Sequence, residues 1–188
     1  MGVDDLPQVQ ITSRSEWRAW LRAHHEQGTG IWLVTFKKHC GDRYVPWPDI
    51  VKEALCFGWI DSRTRRVDDD RTSVLVTPRK AGSMWSAVNK RHVAELEASG
   101  AMTEAGRRLI DAAKADGSWS WLDDIEALHV PDDLAQALAS GSRPAWDAAI
   151  PSARKRALTD VKSAKRASTR ARRIARIVDR LTAGELPG

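Results

Sequence analysis

The spacing of apolar residues divides the chain into a part that mixes helix with strand and a later part that is helical. Ser13 or Ser15 can cap a first helix that runs to about Gln27. One face of this helix carries large side chains at helical spacing, namely Trp17, Trp20, Leu21 and His24. The sequence therefore predicts an amphipathic N-terminal helix that packs on a core.

Three segments that are rich in β-branched and aromatic residues follow, and they predict strands over 31–38, 57–68 and 71–79. The short link 68–70 between the last two predicts a hairpin. A short helix from Asp49 to about Leu55 falls between the first two strands. The pattern thus predicts a small antiparallel sheet of about three strands.

Beyond residue 82 the pattern becomes helical. Ser83 or Ser86 begins a helix that ends at Gly100, and Thr103 caps another that ends at Gly117. Shorter helices are expected over 120–128, 132–140 and 143–149, and Ser152 opens a basic helical region to Gly184 with a break near 162–167.

These elements predict an α+β fold, in which a small antiparallel sheet with an N-terminal helix precedes a helical C-terminal half. The expected parts are an α+β unit with a hairpin over 1–82, a helical segment packed on it over 83–150, and a basic helical region over 151–188. Together they are expected to form one compact domain.

Composition narrows the class of protein. The chain has 188 residues, 42% hydrophobic and 29% charged, which is ordinary for a folded domain and excludes wholesale disorder. It has no apolar run long enough for a membrane span, and its acidic start lacks a signal-peptide pattern. Cys40 and Cys56 make no disulfide framework. We therefore expect a cytoplasmic protein in a reducing compartment.

The formal charge of +5 is unevenly distributed. Residues 152–180 hold eleven Lys or Arg against two acids, a net of +9, which leaves −4 for the remaining residues. Arg166, Arg170 and Arg173 recur on one helical face and could meet nucleic-acid phosphates. A solvated face, or docking on the acidic remainder of the chain, explains the same pattern at least as well.

The segment 56–66 is the densest in candidate chemistry. In a regular strand, one face would carry Phe57, Trp59, Asp61, Arg63 and Arg65. Tryptophan offers a stacking surface and arginine offers paired donors for an anion, while Asp61 could orient the basic groups. Gly58 leaves room for a close approach of backbone or ligand. The alternative is a strand with an apolar start and a solvated, salt-bridged end.

A second candidate segment spans 77–90, where a basic pair precedes a Gly-Ser turn and a helix start. The alternative is a simple helix cap at Ser83 or Ser86, and it explains this segment better than ligand contact does. Because a hairpin would bring both segments together, we predict a pocket for a small anionic ligand. Its residues would be Trp59, Asp61, Arg63, Arg79, Lys80, Trp85, Ser86 and Asn89, with Lys38 as a further candidate.

Other chemistry is weakly indicated. The histidines show no metal-binding spacing, so neither a metal nor a cofactor is expected. His39 and Cys40 with the distant Cys56 could hold zinc only if folding supplied a fourth ligand. Cys56 lies in an apolar stretch and fits a buried thiol. An enzyme that uses Asp61 as an acid or base is the alternative to a binding protein.

The chain also resembles the YdeI/OmpD-associated family, whose members are also named bacteriocin-protection proteins. The resemblance spans roughly residues 12–184 and rests on these segments: Glu16-Trp17-Arg18-Ala19-Trp20-Leu21, Gly30-Ile31-Trp32-Leu33 with Lys37-Lys38, Glu53-Ala54-Leu55-Cys56-Phe57-Gly58-Trp59-Ile60-Asp61, Thr77-Pro78-Arg79-Lys80, Ser83-Met84-Trp85-Ser86-Ala87-Val88-Asn89, 113–119, Ala164-Lys165-Arg166 and 169–174. In 156–161 this chain lacks the aromatic residue of a typical member.

The resemblance implies a small bacterial protein with a role in envelope stress or in tolerance of bacteriocins and antimicrobial peptides. It supplies no established reaction. The sequence therefore predicts a noncatalytic binding or stress-protection protein. A small-molecule enzyme and a nucleic-acid binder are the alternatives, and a protein partner is not indicated.

Overall fold

The computed structural model describes residues 2–188 and shows two compact units, Met1–Ser120 and Trp121–Gly188. The fold is α+β, with a four-stranded sheet in the first unit and nine α-helices over the described residues. The helical segment predicted over 83–150 is shared between the two units. None of the helices within residues 2–188 has both the length and the apolar character that a membrane crossing requires.

Within residues 2–188, all the strands lie in the first unit. Its elements are β1 (Gln8–Gln10), α1 (Arg14–His24), β2 (Ile31–Phe36), α2 (Trp47–Cys56), β3 (Trp59–Arg66), β4 (Arg71–Pro78), α3 (Ala87–Ala98) and α4 (Glu104–Asp116). Ser13 and Ser86 cap α1 and α3 through their side chains, each accepting a backbone N–H three residues later. Helix α1 ends at His24, earlier than the predicted Gln27.

The sheet has the order β1-β2-β4-β3. Strand β4 pairs antiparallel with both β2 and β3, as expected, but β1 adds a fourth strand parallel to β2. The prediction of about three antiparallel strands is therefore incomplete. Three residues are too few to show an alternating pattern, and β1 forms because β2 offers a free edge next to it.

A bulge in β3 changes which residues share a face. The register against β4 shifts between Asp61 and Thr64, and an extra residue reverses the alternation beyond it. The prediction that residues 57, 59, 61, 63 and 65 share one face is wrong for this reason. Arg65 instead lies on the opposite face, where its guanidinium carbon is 3.8 Å from the centre of the Trp32 ring. Arg63 is exposed at the bulge.

The first unit has a tryptophan-rich core between one sheet face and the helices. Trp17 and Trp59 are fully buried, and Trp85 is nearly so. The indole N–H of Trp17 donates to the Ile50 carbonyl, and that of Trp59 donates to the His25 carbonyl, both at 3.0 Å. These bonds satisfy the one polar group that makes a buried indole costly.

The second unit is helical and has its own core. Its elements are α5 (Asp123–Glu126), α6 (Asp132–Leu138), α7 (Arg143–Ala148), α8 (Pro151–Lys162) and α9 (Ala167–Thr182). The fully buried Trp146 packs with Leu134 and Leu138 against Ile177 and Leu181 of α9. The predicted break near 162–167 is present between α8 and α9.

Candidate functional site

Arg79 is a buried cation at the end of β4. Its backbone N–H donates to the Gly58 carbonyl at 2.9 Å, and the residue as a whole is only 6% exposed. The Nη2 group donates to the Met84 carbonyl at 2.6 Å. Among the described residues, Nε and Nη1 are buried without a hydrogen-bond partner. Buried donors are normally satisfied, so these two are an exception that needs an explanation.

The electrostatics of Arg79 reflect its removal from water. Burial lowers the pKa of Arg79 to about 10, and the nearby charge of Asp61 opposes this shift. Burial also raises the pKa of Asp61, against the opposing charge of Arg79. Asp61 therefore stabilises the arginine only in part, and Arg79 remains positively charged at neutral pH.

Two indole rings support this cation. The guanidinium carbon of Arg79 lies 3.7 Å from the centre of the Trp85 ring, within the range of a cation–π contact. Trp85 packs on Trp119 with the ring centres 5.0 Å apart. The ammonium groups of Lys90 and Lys114 each lie 5.4 Å from the Trp119 ring centre. The result is a cluster of positive charge around two indole rings that pack on each other at a tilt of 45°.

Arg79 borders two cavities of different size. The loop 80–83, Trp85 and α4 enclose about 10 Å³ on one side, which is the room for one water molecule. On the other side, a cavity of about 220 Å³ lies between the end of α1, the turn before β3 and α4. Its walls are partly apolar and partly charged: Phe57, Leu109, Arg79, Arg108, His25 and Glu26.

Gly58 allows α4 to approach this larger cavity closely. Its backbone has φ +74°, and a Cβ there would lie 2.5 Å from Cδ1 of Leu109. Only glycine adopts that conformation without strain, so both the backbone and the available space favour it. The close approach predicted at this position is therefore made by a side chain of the protein, which forms one wall of the cavity.

Of the predicted site residues, the structure brings together Arg79 and Trp85, with Lys80 beside them. Lys80 is exposed and lines the smaller cavity. Asp61 influences Arg79 by its charge but lines neither cavity. Trp59 belongs to the core, where its ring meets Trp20 edge-on at 5.7 Å, and it does not form a cavity wall.

The remaining predicted residues lie apart from Arg79 or have another role. Ser86 caps α3 by accepting the Asn89 backbone N–H, which is the alternative that its sequence context left open. Arg63 is exposed on the bulge of β3. Lys38 follows β2 at the hairpin end of the sheet, so roughly 25 Å of strand separates it from Arg79.

Sequence reasoning missed four residues around Arg79, namely His25, Arg108, Leu109 and Trp119. They come from the end of α1, from α4 and from the segment after α4, which are far apart in the chain. The one available signal was Gly58, because a glycine at a strand start indicates that some other group comes close.

The basic face of the second unit is largely occupied by its own acids. Arg170 donates to both carboxylate oxygens of Asp133, at 2.6 and 2.8 Å. Arg173 pairs with Asp160 at 3.2 Å, whereas Arg166 is exposed at the start of α9. Arg170 and Arg173 thus bind acids within the same helical unit. Nucleic-acid binding through this face stays a prediction.

Two family models match the chain, and the gap between their matches includes the boundary between the two structural units. Residues 9–109 match the model of a domain of unknown function, DUF8412, and residues 127–184 match the model described as bacteriocin-protection, YdeI or OmpD-associated. The chain belongs to the DUF8412 family and carries an OmdA segment. No curated protein and no solved structure matches it.

The two matches assign different parts of the molecule to the two families. The DUF8412 match contains the sheet with Arg79, Trp85 and the walls of the larger cavity. The OmdA match contains α6 to α9 with the arginines of the basic face. The family expected from the sequence is thus confirmed over 127–184, while its N-terminal motifs lie inside the DUF8412 match.

Proposed function

We propose that the protein is a noncatalytic binding protein that holds a small anion against Arg79. The observation that carries this proposal is the buried guanidinium with two donor atoms that no protein group satisfies. Leaving a buried charge without hydrogen bonds costs stability, so a charged acceptor from outside would be bound strongly. Arg108 and His25 add positive or polar character at the cavity wall.

The size of the larger cavity favours a small ligand. Sites for drug-sized molecules typically enclose about 300–1,000 Å³, and this cavity has about 220 Å³. A phosphate, or a carboxylate with a short apolar group, fits that volume. The apolar walls Phe57 and Leu109 would hold the non-polar part of such a ligand, while the arginine donors receive its charge.

The position of Asp61 favours binding over catalysis. An acid or base has to reach the reacting atoms within hydrogen-bond distance or through one water. Asp61 lines neither cavity next to Arg79, although burial raises its pKa. Its effect on Arg79 is to stabilise the positive charge.

The OmdA description supplies the biological setting that we propose for this binding. That family model is described as bacteriocin-protection, and it matches the helical unit. We suggest that anion binding in the first unit serves stress protection in a bacterial cell, including tolerance of bacteriocins or antimicrobial peptides.

Thermal unfolding in phosphate, acetate or chloride at equal ionic strength tests the binding. A ligand at a hundredfold excess over its Kd stabilises a folded protein by about 2.7 kcal/mol. We expect phosphate or acetate to raise the Tm of the natural chain above its value in chloride. Arg79→Met should reduce that difference to the general effect that excluded anions have on any folded protein, because it removes the buried donors while keeping an apolar side chain of similar length.

Arg63→Met is the matched control, since Arg63 is an exposed arginine of the same unit and lies outside both cavities. It should respond to anions as the natural chain does. An unchanged anion response in Arg79→Met would reject the site. If binding is lost but bacteriocin tolerance of cells carrying Arg79→Met is normal, the binding stands and the protective role is wrong.

A further inference from the structure

Three metal-ligating side chains meet at the end of the sheet opposite Arg79. His39, Cys40 and Asp70 place one nitrogen, one sulfur and one carboxylate oxygen within 4.8 Å of one another. The His39 Nε2 atom is 3.0 Å from Asp70 Oδ1, and the Cys40 Sγ atom is 3.6 Å from the Asp70 carbonyl oxygen. Over residues 2–188, no other three His, Cys, Asp or Glu side chains come this close.

The backbone around this cluster is fixed by hydrogen bonds between two segments. The Lys37 N–H donates to the Asp70 carbonyl at 2.8 Å, and the Cys40 N–H donates to the Lys37 carbonyl at 2.9 Å. The Lys37 ammonium also donates to the carbonyls of Asp68 and Asp69. The turn after β2 is therefore tied to the tip of the β3–β4 hairpin, and the three side chains start from a connected framework.

The three consecutive acids at the hairpin tip have different partners. Asp68 accepts from Arg71 Nε at 2.8 Å and from the Arg71 backbone N–H at 2.7 Å. Asp69 pairs with Arg66. Asp70 has no arginine partner in the described chain, and its carboxylate faces His39 instead. It is thus the acid of this tip that can turn towards a cation.

We propose that His39, Cys40 and Asp70 bind a divalent metal ion of the zinc class. Imidazole, thiolate and carboxylate are the side-chain ligands that zinc uses, and three of them leave a fourth position for water. A thiolate and a carboxylate together balance the charge of the ion. The donor atoms of a tetrahedral zinc site lie about 3.4–3.6 Å apart. Side-chain rotations that move the donor atoms by about 1 Å would bring the three residues to that spacing.

Cys56 is not part of this site. It is fully buried in the core, and Arg18 Nη1 lies 3.7 Å from its sulfur. The carboxylate that the pair His39 and Cys40 needs comes from the hairpin tip, which no spacing along the chain reveals. The metal site is independent of the anion site, because the two lie at opposite ends of β4.

Titration of the tag-free full-length chain with Co²⁺ tests the proposal, because a thiolate–cobalt bond gives a near-ultraviolet charge-transfer band. We expect this band to saturate at one equivalent of Co²⁺ and to disappear when Zn²⁺ is added. Cys40→Ser should abolish it. Asp70→Asn should weaken Co²⁺ binding by about tenfold or more, a loss seen even when a ligand's own hydrogen-bond partner is removed.

Asp69→Asn is the matched control, since it removes the neighbouring carboxylate of the same hairpin tip. It should bind Co²⁺ as the natural chain does. Circular dichroism of each variant checks that the exposed substitutions leave the fold intact. The site is rejected if no thiolate band forms, if the band persists in Cys40→Ser, or if Asp69→Asn and Asp70→Asn weaken binding equally.

Discussion

Arg79 in the first unit and the pair Arg170 and Arg173 in the second use their donor atoms differently. In the first unit, Arg79 is buried and two of its donor atoms lack a protein partner within the described chain. In the second, Arg170 is bound by both oxygens of Asp133, and Arg173 is held by Asp160. Arg170 and Arg173, which have acid partners, thus lie in the more basic of the two units.

This difference shows why net charge alone predicts a binding surface poorly. A basic run of sequence attracts phosphates only to the extent that its charges are not already paired. A single arginine outside such a run becomes a candidate site when folding removes it from water and leaves its donors unused. The number of unsatisfied donors is the informative quantity, and in the described chain it is two for Arg79 against one, the Nε atom, for Arg154 and for Arg180 of the second unit.

The largest effect that we predict concerns the indole beneath Arg79. Trp85→Ala removes a nearly fully buried side chain and should lower the free energy of unfolding by about 3–5 kcal/mol, the usual cost of such a cavity. It should also abolish the anion response, because Trp85 supports the Arg79 guanidinium. Urea denaturation and the anion-dependent Tm measure the two effects.

Trp146→Ala in the second unit is the matched comparison, since Trp146 is also fully buried and lies near an arginine, Arg154. Its cost in stability should be similar. The anion response should survive in conditions where the protein is still folded. A loss of that response in Trp146→Ala as well would contradict the assignment of the site to the first unit.

Much of the fold follows from local sequence signals. The strands over 31–38, 57–68 and 71–79 are present as β2, β3 and β4, because runs of β-branched residues between turns specify strands locally. The side-chain caps of α1 and α3 also follow from single residues, Ser13 and Ser86. Thr103 precedes α4 as predicted, but its hydroxyl donates to the Cys56 carbonyl and makes no cap bond. The strand β1 and the bulge in β3 could not be predicted, because both depend on pairing with a neighbouring strand.

The same distinction applies to the candidate site. Arg79 and Trp85 are close in sequence, and their association was predictable. Leu109 and Trp119 reach them only through the packing of α4 and the segment after it. Nor could the sequence show that the Arg79 donors are unused, since that depends on every group around them.

The second prediction compares the stability of matched arginine variants, beginning with Arg79→Met. Arg79→Met removes the cost of burying a charge with two unsatisfied donors, and it also removes the bond to the Met84 carbonyl and the contact with Trp85. We expect the free energy of unfolding in the absence of anions to be unchanged or higher. A loss of stability would mean that Arg79 is a structural residue, and urea denaturation in chloride decides between the two.

The third prediction is that Arg170→Met changes the free energy of unfolding in the opposite direction to Arg79→Met and by a smaller amount. The pair with Asp133 is bidentate but partly exposed, with side chains 30% and 47% accessible. Such pairs contribute about 0.2–1 kcal/mol, so we expect a loss within that range. Since salt screens exposed charges, the loss should shrink as the salt concentration rises. Equal losses at low and high salt would contradict this interpretation of the pair.

The smallest effect that we predict is the pH dependence that two aspartates give to the free energy of unfolding. It compares the two units most directly, because each unit contains one of these aspartates. Burial raises the pKa of Asp61, whereas the hydrogen bonds from Arg170 lower the pKa of Asp133. Asp61 therefore contributes stability below its unfolded pKa of about 3.9 and loses it as pH rises through the folded value. Asp133 contributes stability above that unfolded pKa and loses it as pH falls through its lower folded value.

The two asparagine variants should consequently show opposite trends in the free energy of unfolding between pH 3 and pH 7. Asp61→Asn should match the natural chain near pH 3 and become relatively more stable as pH rises, because asparagine avoids the buried negative charge. Asp133→Asn should be relatively less stable at pH 7, and its deficit should shrink as pH falls. Urea denaturation across this range measures both curves. Trends of the same sign would mean that Asp61 is held by Arg79 as firmly as Asp133 is held by Arg170, and that the Arg79 charge is already neutralised.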